Sequence, residues 1–139
     1  MNKEIYDLLI QEAKQAYMED EIPIGAVITK NDKIIASAHN QKEVLKDITA
    51  HAEILVIKKV CKIEKDCRLD EYKLYVTLEP CDMCKEVIRQ SRIKHVEYLL
   101  KSNFANEKNK KIEYVETLSN FDENAEYKRI LQEYFKEKR

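Results

Sequence analysis

Two short segments about thirty residues apart constrain this chain more than any other feature. His51-Ala52-Glu53 comes first, and Pro80-Cys81-Asp82-Met83-Cys84 follows. One imidazole and two thiols are ligand types that suit Zn²⁺, and three ligands leave its fourth tetrahedral position open. Glu53 adds a carboxylate that can accept a proton from a water molecule in that position. Any fold of this chain therefore has to bring the two segments together around one metal ion.

A structural metal site is the alternative interpretation of this pattern. Structural zinc sites are usually closed by four protein ligands, commonly as two pairs, and this chain has a single closely spaced cysteine pair. Cys61 and Cys67 could supply a fourth ligand, but neither has a matching spacing. Instead, we expect Cys61 to face the core from a helix and Cys67 to lie in a charged loop. The pattern therefore favours a catalytic site over a structural site or an accidental match.

Length and composition indicate an ordinary intracellular domain. The 139 residues fit one domain, residues 1–139, with no repeat or linker. The longest apolar run, residues 54–57, is far too short for a membrane span, and the N-terminus lacks the basic-then-apolar order of a secretory signal. Four cysteines in such a chain are more typical of metal binding than of disulfides. We therefore expect a cytoplasmic protein that does not contact a membrane.

Hydrophobic periodicity predicts the element order α-β-β-α-β-α-β-β-α. Strands are predicted at 24–29, 33–38, 72–78, 96–100 and 112–116, and helices at 5–18, 50–61, 80–91 and 125–136. Gly25, the chain's single glycine, falls inside the first strand, which indicates a close backbone approach or a bulge. This order is typical of a layered α/β domain whose central sheet is covered by helices on both faces.

Both metal-binding segments are predicted to begin helices. Thr49 is the predicted N-cap of the second helix, which places His51 in its first turn. Pro80 suits the first turn of the third helix, where Cys81 and Cys84 would share one face and the helix dipole would stabilise a thiolate. His51 and Glu53 are two residues apart and do not share a helix face. We therefore expect the substrate to lie in front of the helix end and not along its side.

Further segments accompany the candidate ligands: Asn40 and residues 21–27, 47–54, 75–84 and 91–93. With them, residues 5 to about 98, and more loosely the last helix, resemble the bacterial tRNA-specific adenosine deaminases. The H-x-E…P-C-x-x-C pattern is shared by zinc nucleobase deaminases in general. Thr77-Leu78-Glu79 and Ser91-Arg92-Ile93 look specific to the tRNA enzymes. The resemblance implies a three-layer α/β/α cytidine-deaminase-like fold with a central mixed sheet of about five strands.

The resemblance also implies residue roles. One Zn²⁺ per subunit would be held by His51, Cys81 and Cys84, and Glu53 would be the catalytic proton shuttle. Asn40 and Ala52 would bind the substrate, although from the residues alone Asn40 is a turn residue at the end of a strand. The implied activity is hydrolytic deamination of the wobble adenosine in the tRNA anticodon loop to inosine, with release of ammonia. The implied assembly is a homodimer with the RNA site across its interface.

RNA binding requires groups that hold the nucleotides around a flipped base. Residues 84–139 carry more basic than acidic side chains, while residues 1–83 carry more acidic ones, so an anionic partner would prefer the second half. The candidate contacts, each also explained as a solvated surface residue, are Lys101, Lys108, Lys110, Lys111, Arg129 and Tyr134.

The chain departs from the resemblance after residue 98. Leu99-Leu100-Lys101-Ser102 stands where the family commonly has Gly-Ala-Arg-Asp, and the stretch 102–111 is about ten residues shorter than usual. A parallel crossover needs about a dozen residues or more, so either its helix is lost or the last strand runs antiparallel. These departures favour an alternative enzyme that deaminates a free nucleobase or nucleotide (guanine, cytosine or a pyrimidine nucleotide). The non-enzyme alternative is an inactive RNA-binding partner subunit.

Overall fold

Five strands and five helices make up the part of the chain that the computed structural model describes, residues 1–102, 112–117 and 121–138. The helices are α1 (Lys3–Met18), α2 (Lys42–Leu45), α3 (Ala52–Glu64), α4 (Asp82–Ser91) and α5 (Phe121–Glu137). The strands are β1 (Gly25–Lys30), β2 (Lys33–His39), β3 (Tyr72–Leu78), β4 (His95–Leu100) and β5 (Glu113–Glu116).

The strands form one mixed sheet in the order β2-β1-β3-β4-β5. β1 is antiparallel to both β2 and β3, whereas β4 is parallel to β3 and β5 is parallel to β4. The five-stranded mixed sheet is thus confirmed, and the antiparallel alternative for the last strand is wrong. Most of the connection whose shortening was predicted, residues 103–111, lies outside the described residues.

Helices cover both faces of the sheet because strand side chains alternate between the two sides. In β1, Ala26 and Ile28 join the core cluster that contains Val56 of α3 and Ile88 of α4. Val27 between them packs with Leu9 of α1 on the other face. There α5 completes the layer, where its residue Tyr127 packs against Leu99 of β4 and against Tyr6 and Ile10 of α1. The three-layer α/β/α architecture is therefore confirmed.

Gly25 allows α1 to lie directly on the start of β1. A Cβ atom at this position would come within 2.6 Å of the Leu9 carbonyl oxygen and 2.8 Å of the Glu12 Cβ. Its N–H donates to Thr77 Oγ1 at 3.1 Å, which joins β1 to the end of β3. The predicted close backbone approach is confirmed.

The starts of α3 and α4 differ from the prediction. α3 begins at Ala52 with His51 as its N-cap, so the assignment of Thr49 as N-cap is wrong. Thr49 instead donates its backbone N–H (2.8 Å) and its hydroxyl (2.7 Å) to Asp47 Oδ1, which forms a local turn before the helix. α4 begins at Asp82 with Cys81 as its N-cap. His51 and Cys81 therefore precede the first turns of their helices and do not lie in them.

α2 is an element that the sequence did not predict. It is a single turn of four residues with no buried side chain, so it has no apolar periodicity to detect. It ends at Leu45, and its C-cap Lys46 adopts a left-handed conformation with φ of 52°. Across the described residues, we find no helix that combines the length and the apolar character needed to cross a bilayer.

Candidate metal and substrate site

The side chains of His51, Cys81 and Cys84 converge where α3 and α4 begin. His51 Nδ1 lies 3.7 Å from Cys81 Sγ and 3.4 Å from Cys84 Sγ. The three ligand atoms all lie within 4.8 Å of one another. For bonds of about 2.0 Å to nitrogen and about 2.3 Å to sulfur, a tetrahedral angle separates the two ligand atoms by about 3.5 Å. The donor set and its spacing therefore fit one Zn²⁺ ion without rearrangement.

The two helix ends favour negative charge at this site. His51 and Cys81 are N-caps whose side chains do not cap their own helices, so the helix dipoles act on the ligand cluster. Hydrogen bonding from the Cys84 thiol, and then from His51, lowers the pKa of Cys81 to about 4. The hydrogen bond to Cys81 and then burial raise the pKa of Cys84, while the bond to Cys81 raises the pKa of His51. The cluster thus holds protons that a bound cation would displace.

Glu53 places a buried carboxylate beside this cluster. The residue is only 3% exposed, and its Oε1 atom has no hydrogen-bond partner among the described residues. Burial raises the pKa of Glu53 to about 7. An unpartnered buried carboxylate oxygen costs free energy, so its presence indicates a functional role for this group.

Asn40 lies at the same end of the sheet as the ligands and is 4% exposed. Its backbone N–H donates to the Ile24 carbonyl at 3.0 Å, and its side chain donates from Nδ2 to Glu21 Oε1 at 3.3 Å. The next residue, Gln41, donates to the carbonyl of Ala50, directly before His51. The structure therefore joins Asn40 to the segment that carries the first ligand.

Ala52, the other predicted substrate-binding residue, is fully buried. Its side chain belongs to the core cluster between α3 and the sheet. Neither its side chain nor its backbone is accessible in this structure, and its contact with a substrate stays a prediction.

The predicted RNA contacts are dispersed over the molecule. Lys101 is exposed beside Ser102, whose N–H donates to Glu79 Oε1 at 3.1 Å, and this places Lys101 close to the segment that carries Cys81. Arg129 is exposed in the groove between α1 and α5, on the opposite face of the sheet from α3 and α4. Lys108, Lys110 and Lys111 lie outside the described residues.

Tyr134 is half-buried near the end of α5, where its ring packs edge-on against Tyr17 at a centroid distance of 6.5 Å. Burial, and then the carboxylates of Glu21 and Glu43, raise the pKa of Tyr134. Tyr134 is therefore the predicted aromatic contact that the fold brings towards Glu21 and α2.

No individual role was predicted from the sequence for two groups of residues that support the site. Glu21, 1% exposed, accepts hydrogen bonds from Asn40 and from two backbone amides of α2. On the other side of the site, Lys85 Nζ lies 3.6 Å from Glu79 Oε2 and 4.8 Å from the centroid of the Tyr114 ring. Glu21 is distant in sequence from its partners, as Tyr114 is from Lys85, so only the fold shows that these residues meet.

The sheet, the two helix ends and the His/Cys/Cys group together define a zinc-binding deaminase domain. The family model described as the cytidine and deoxycytidylate deaminase zinc-binding region matches residues 1–100, and the chain belongs to this family.

Curated relatives of this chain are named as tRNA adenosine deaminases. The chain is 47% identical over 97 residues to the tRNA-specific adenosine deaminase of Aquifex aeolicus (strain VF5), a match that covers 69% of this chain and 64% of that protein. The chain thus spans just under two thirds of the length of this curated relative.

Two solved structures that resemble this chain are named for different substrates. A structure from biochemical and structural studies of A-to-I editing by tRNA:A34 deaminases superposes with a TM-score of 0.77 at 32% identity, covering 82% of this chain and 97% of the other. A guanine deaminase from Bacillus subtilis superposes with a TM-score of 0.67 at 28% identity, covering 93% of each chain.

Proposed function

We propose that this chain is a zinc-dependent deaminase that converts the wobble adenosine of a tRNA anticodon loop to inosine and releases ammonia. The observation that carries the proposal is the convergence of His51, Cys81 and Cys84 beside the unpartnered Oε1 atom of Glu53. The tRNA-specific names of the Aquifex aeolicus relative and of the tRNA:A34 deaminase structure support the choice of substrate.

The metal would be held by His51 Nδ1 and the two cysteine sulfurs, because these atoms already have tetrahedral spacing. Zn²⁺ bound there would act as a Lewis acid that makes a water molecule nucleophilic near neutral pH. Three protein ligands leave room for that water, as a catalytic site requires.

Glu53 would move the protons of the reaction. Its carboxylate accepts a proton from the attacking water and delivers it to a ring nitrogen of adenine, while the water oxygen bonds to the carbon that bears the exocyclic amine. Glu53 then takes the second proton of the water from the hydroxyl group now bonded to that carbon and transfers it to the amine, so the carbon–nitrogen bond breaks, the oxygen becomes a carbonyl, and ammonia leaves. The burial of Glu53 supports this role, because a pKa near neutrality lets one group accept and donate protons in turn.

Asn40 would hold the base. Its amide carries both donor and acceptor atoms, which suits the edge of a purine. The hydrogen bonds that join Asn40 and Gln41 to Ile24 and Ala50 support a fixed position beside the ligand segment.

The proposed partners follow from the substrate. An anticodon stem-loop would contact Lys101, which lies close to the segment that carries Cys81, and Tyr134, which lies towards Glu21 and α2. We also propose a homodimer, a single catalytic domain over residues 1–139, and a cytoplasmic location, where tRNA substrates occur.

A guanine deaminase is the second candidate. The observation in its favour is the Bacillus subtilis guanine deaminase structure, which is covered over 93% of its length, together with Leu99-Leu100-Lys101-Ser102 after β4. An enzyme of this kind would need no basic surface for an anticodon loop.

The test incubates zinc-loaded protein separately with an adenosine-containing anticodon stem-loop and with free adenosine, guanine and cytosine. We expect inosine in the stem-loop and little ammonia from the free compounds. Glu53→Gln, loaded with zinc to the same stoichiometry, is the control for contaminating deaminases. Ammonia from free guanine alone would replace the tRNA assignment with the second candidate, and no product from any substrate would contradict both.

A further inference from the structure

We propose that Glu21 is a positioning residue that sets the orientation of the Asn40 amide and couples it to α2. Glu21 lies in the loop between α1 and β1, and its backbone N–H donates to the Ala16 carbonyl at 2.9 Å. Its carboxylate is buried, with the residue 1% exposed. The proposal rests on the proposed function in one respect, which is that Asn40 faces the substrate.

The Glu21 carboxylate is shared between two structural units. Its Oε1 atom accepts from Asn40 Nδ2 at 3.3 Å and from the Glu43 backbone N–H at 3.0 Å. Its Oε2 atom accepts from the Val44 backbone N–H at 2.7 Å. Gln41, the N-cap of α2, makes no side-chain capping bond, so Glu21 satisfies amides that this turn would otherwise leave free. One buried carboxylate thus holds both the amide of Asn40 and the first turn of α2.

The chemistry of a carboxylate fixes which way the Asn40 amide points. An ionised carboxylate only accepts hydrogen bonds, so the Asn40 atom that faces it has to be Nδ2. We find no hydrogen bond to Asn40 Oδ1 from the described residues. The amide therefore keeps Oδ1 available as an acceptor for a donor group on the base. The opposite orientation would direct Oδ1 at a carboxylate oxygen, and two acceptors repel each other.

The Glu21 carboxylate also connects Asn40, which is proposed to bind the base, to the surface formed by α2. α2 exposes Val44 and Leu45 to solvent, and both follow the turn that Glu21 holds. A shift of this turn on binding a substrate would therefore move the carboxylate and, with it, the Asn40 amide. Replacing Glu21 with glutamine is expected to impair substrate recognition more than folding. The glutamine side chain can donate an N–H to Asn40 Oδ1, which allows the Asn40 amide to flip.

The first test is a double-mutant cycle with Glu21→Gln, Asn40→Ala and the double variant, with kcat and KM measured on the substrate that the wild-type enzyme turns over. We expect Glu21→Gln to lower kcat/KM by about ten- to a hundred-fold, the range for one hydrogen bond to a charged group. In the Asn40→Ala background the same substitution should have less than a two-fold effect, because Glu21 acts through Asn40. Fully additive losses would overturn the positioning role.

Glu43→Gln is the matched control, since it removes an exposed carboxylate from the same segment without removing the backbone bonds to Glu21. It should change kcat/KM by less than two-fold and leave zinc stoichiometry unchanged. A loss equal to that of Glu21→Gln would show that the local charge matters and not the bond to Asn40.

Hydrogen exchange of the wild-type protein tests the same contact without relying on turnover or on the folding of a variant. The backbone amides of Glu43 and Val44 should exchange slowly although they lie in the first turn of a short helix. They should exchange at least ten-fold faster in Glu21→Gln. Unprotected exchange in the wild type would overturn the proposal. If the wild-type protein leaves the stem-loop unchanged, only the proposed function fails. Hydrogen exchange, and the double-mutant cycle measured on another substrate, still test the role of Glu21.

Discussion

Replacing Gly25 with alanine should destabilise the domain by an amount that the structure allows us to work out. The added Cβ would meet the Leu9 carbonyl oxygen at 2.6 Å, the Glu12 Cβ at 2.8 Å and the Ala13 nitrogen at 3.2 Å. Two of these atoms belong to the α1 backbone, so relief requires movement of the whole helix. Overpacking of this kind costs about 2–3 kcal/mol, the upper part of the usual range.

A smaller favourable effect partly offsets this cost. Alanine reduces the entropy of the unfolded chain, which stabilises a protein by about 0.4–1 kcal/mol. The net loss is then about 1–2.5 kcal/mol. With an unfolding entropy of about 2.1 cal/mol/K per residue, this loss lowers the Tm of a 139-residue domain by about 3–9 °C.

The assay is thermal unfolding of both proteins by circular dichroism, at equal zinc content and protein concentration. Ser37→Ala, a change on the neighbouring strand β2, is the control and should alter stability by no more than about 0.5 kcal/mol. An unchanged or higher Tm for Gly25→Ala would refute the close packing of α1 on β1.

Three further predictions concern the site and its surroundings. Glu53→Gln should lower kcat by about 10²–10⁴-fold, the contribution of general acid–base catalysis, with zinc content unchanged by atomic emission; a loss of zinc instead would assign Glu53 a structural role. Cys84→Ser should reduce bound zinc from near one equivalent to a small fraction, and chelation of the wild type should abolish activity that added Zn²⁺ restores; undiminished zinc binding would contradict the proposed ligand set. The pKa of His39 is raised by hydrogen bonding to Glu12 and then to Glu19, so its contribution to stability should be complete below its ordinary value of 6.5 and lost as the pH rises through the raised value. The Tm difference between wild type and His39→Gln should therefore shrink with increasing pH, and a constant difference would show that packing alone matters.

Most of the fold could be predicted because hydrophobic periodicity is a local property of the sequence. The strand at Tyr72–Leu78 is predicted to the residue, since most of its side chains are apolar and its residues 74–77 are all buried. The close backbone approach at Gly25 could also be predicted locally, since a glycine within an apolar strand indicates that another backbone lies close to it.

The errors arise where tertiary contacts override local preference. Thr49 is a good N-cap residue type, yet Asp47 captures both its N–H and its hydroxyl, so α3 begins only after His51. The short helix α2 has no periodicity, and the carboxylate that holds its first turn lies more than twenty residues earlier in the chain.

The candidate ligands could be found from sequence because residue type and spacing are themselves the signal. The positioning role proposed for Glu21 could not be predicted from the sequence, because a buried acidic residue has the same sequence signature as an exposed one. The basic RNA-contact candidates rest on charge alone, and charge does not tell which side of the sheet a residue faces. Arg129 is an example, because the fold places it on the side of the sheet opposite α3 and α4.

The most direct test of the proposed hydrolytic deamination is oxygen tracing. The zinc-loaded protein is incubated with an adenosine-containing anticodon stem-loop in water enriched in oxygen-18. Hydrolytic deamination predicts inosine at the wobble position, with the heavy oxygen on the purine ring and one ammonia released per inosine. Glu53→Gln should give neither product at a comparable rate. A stem-loop that keeps its adenosine, or inosine without the heavy oxygen, would contradict the proposal that these residues deaminate tRNA by adding water.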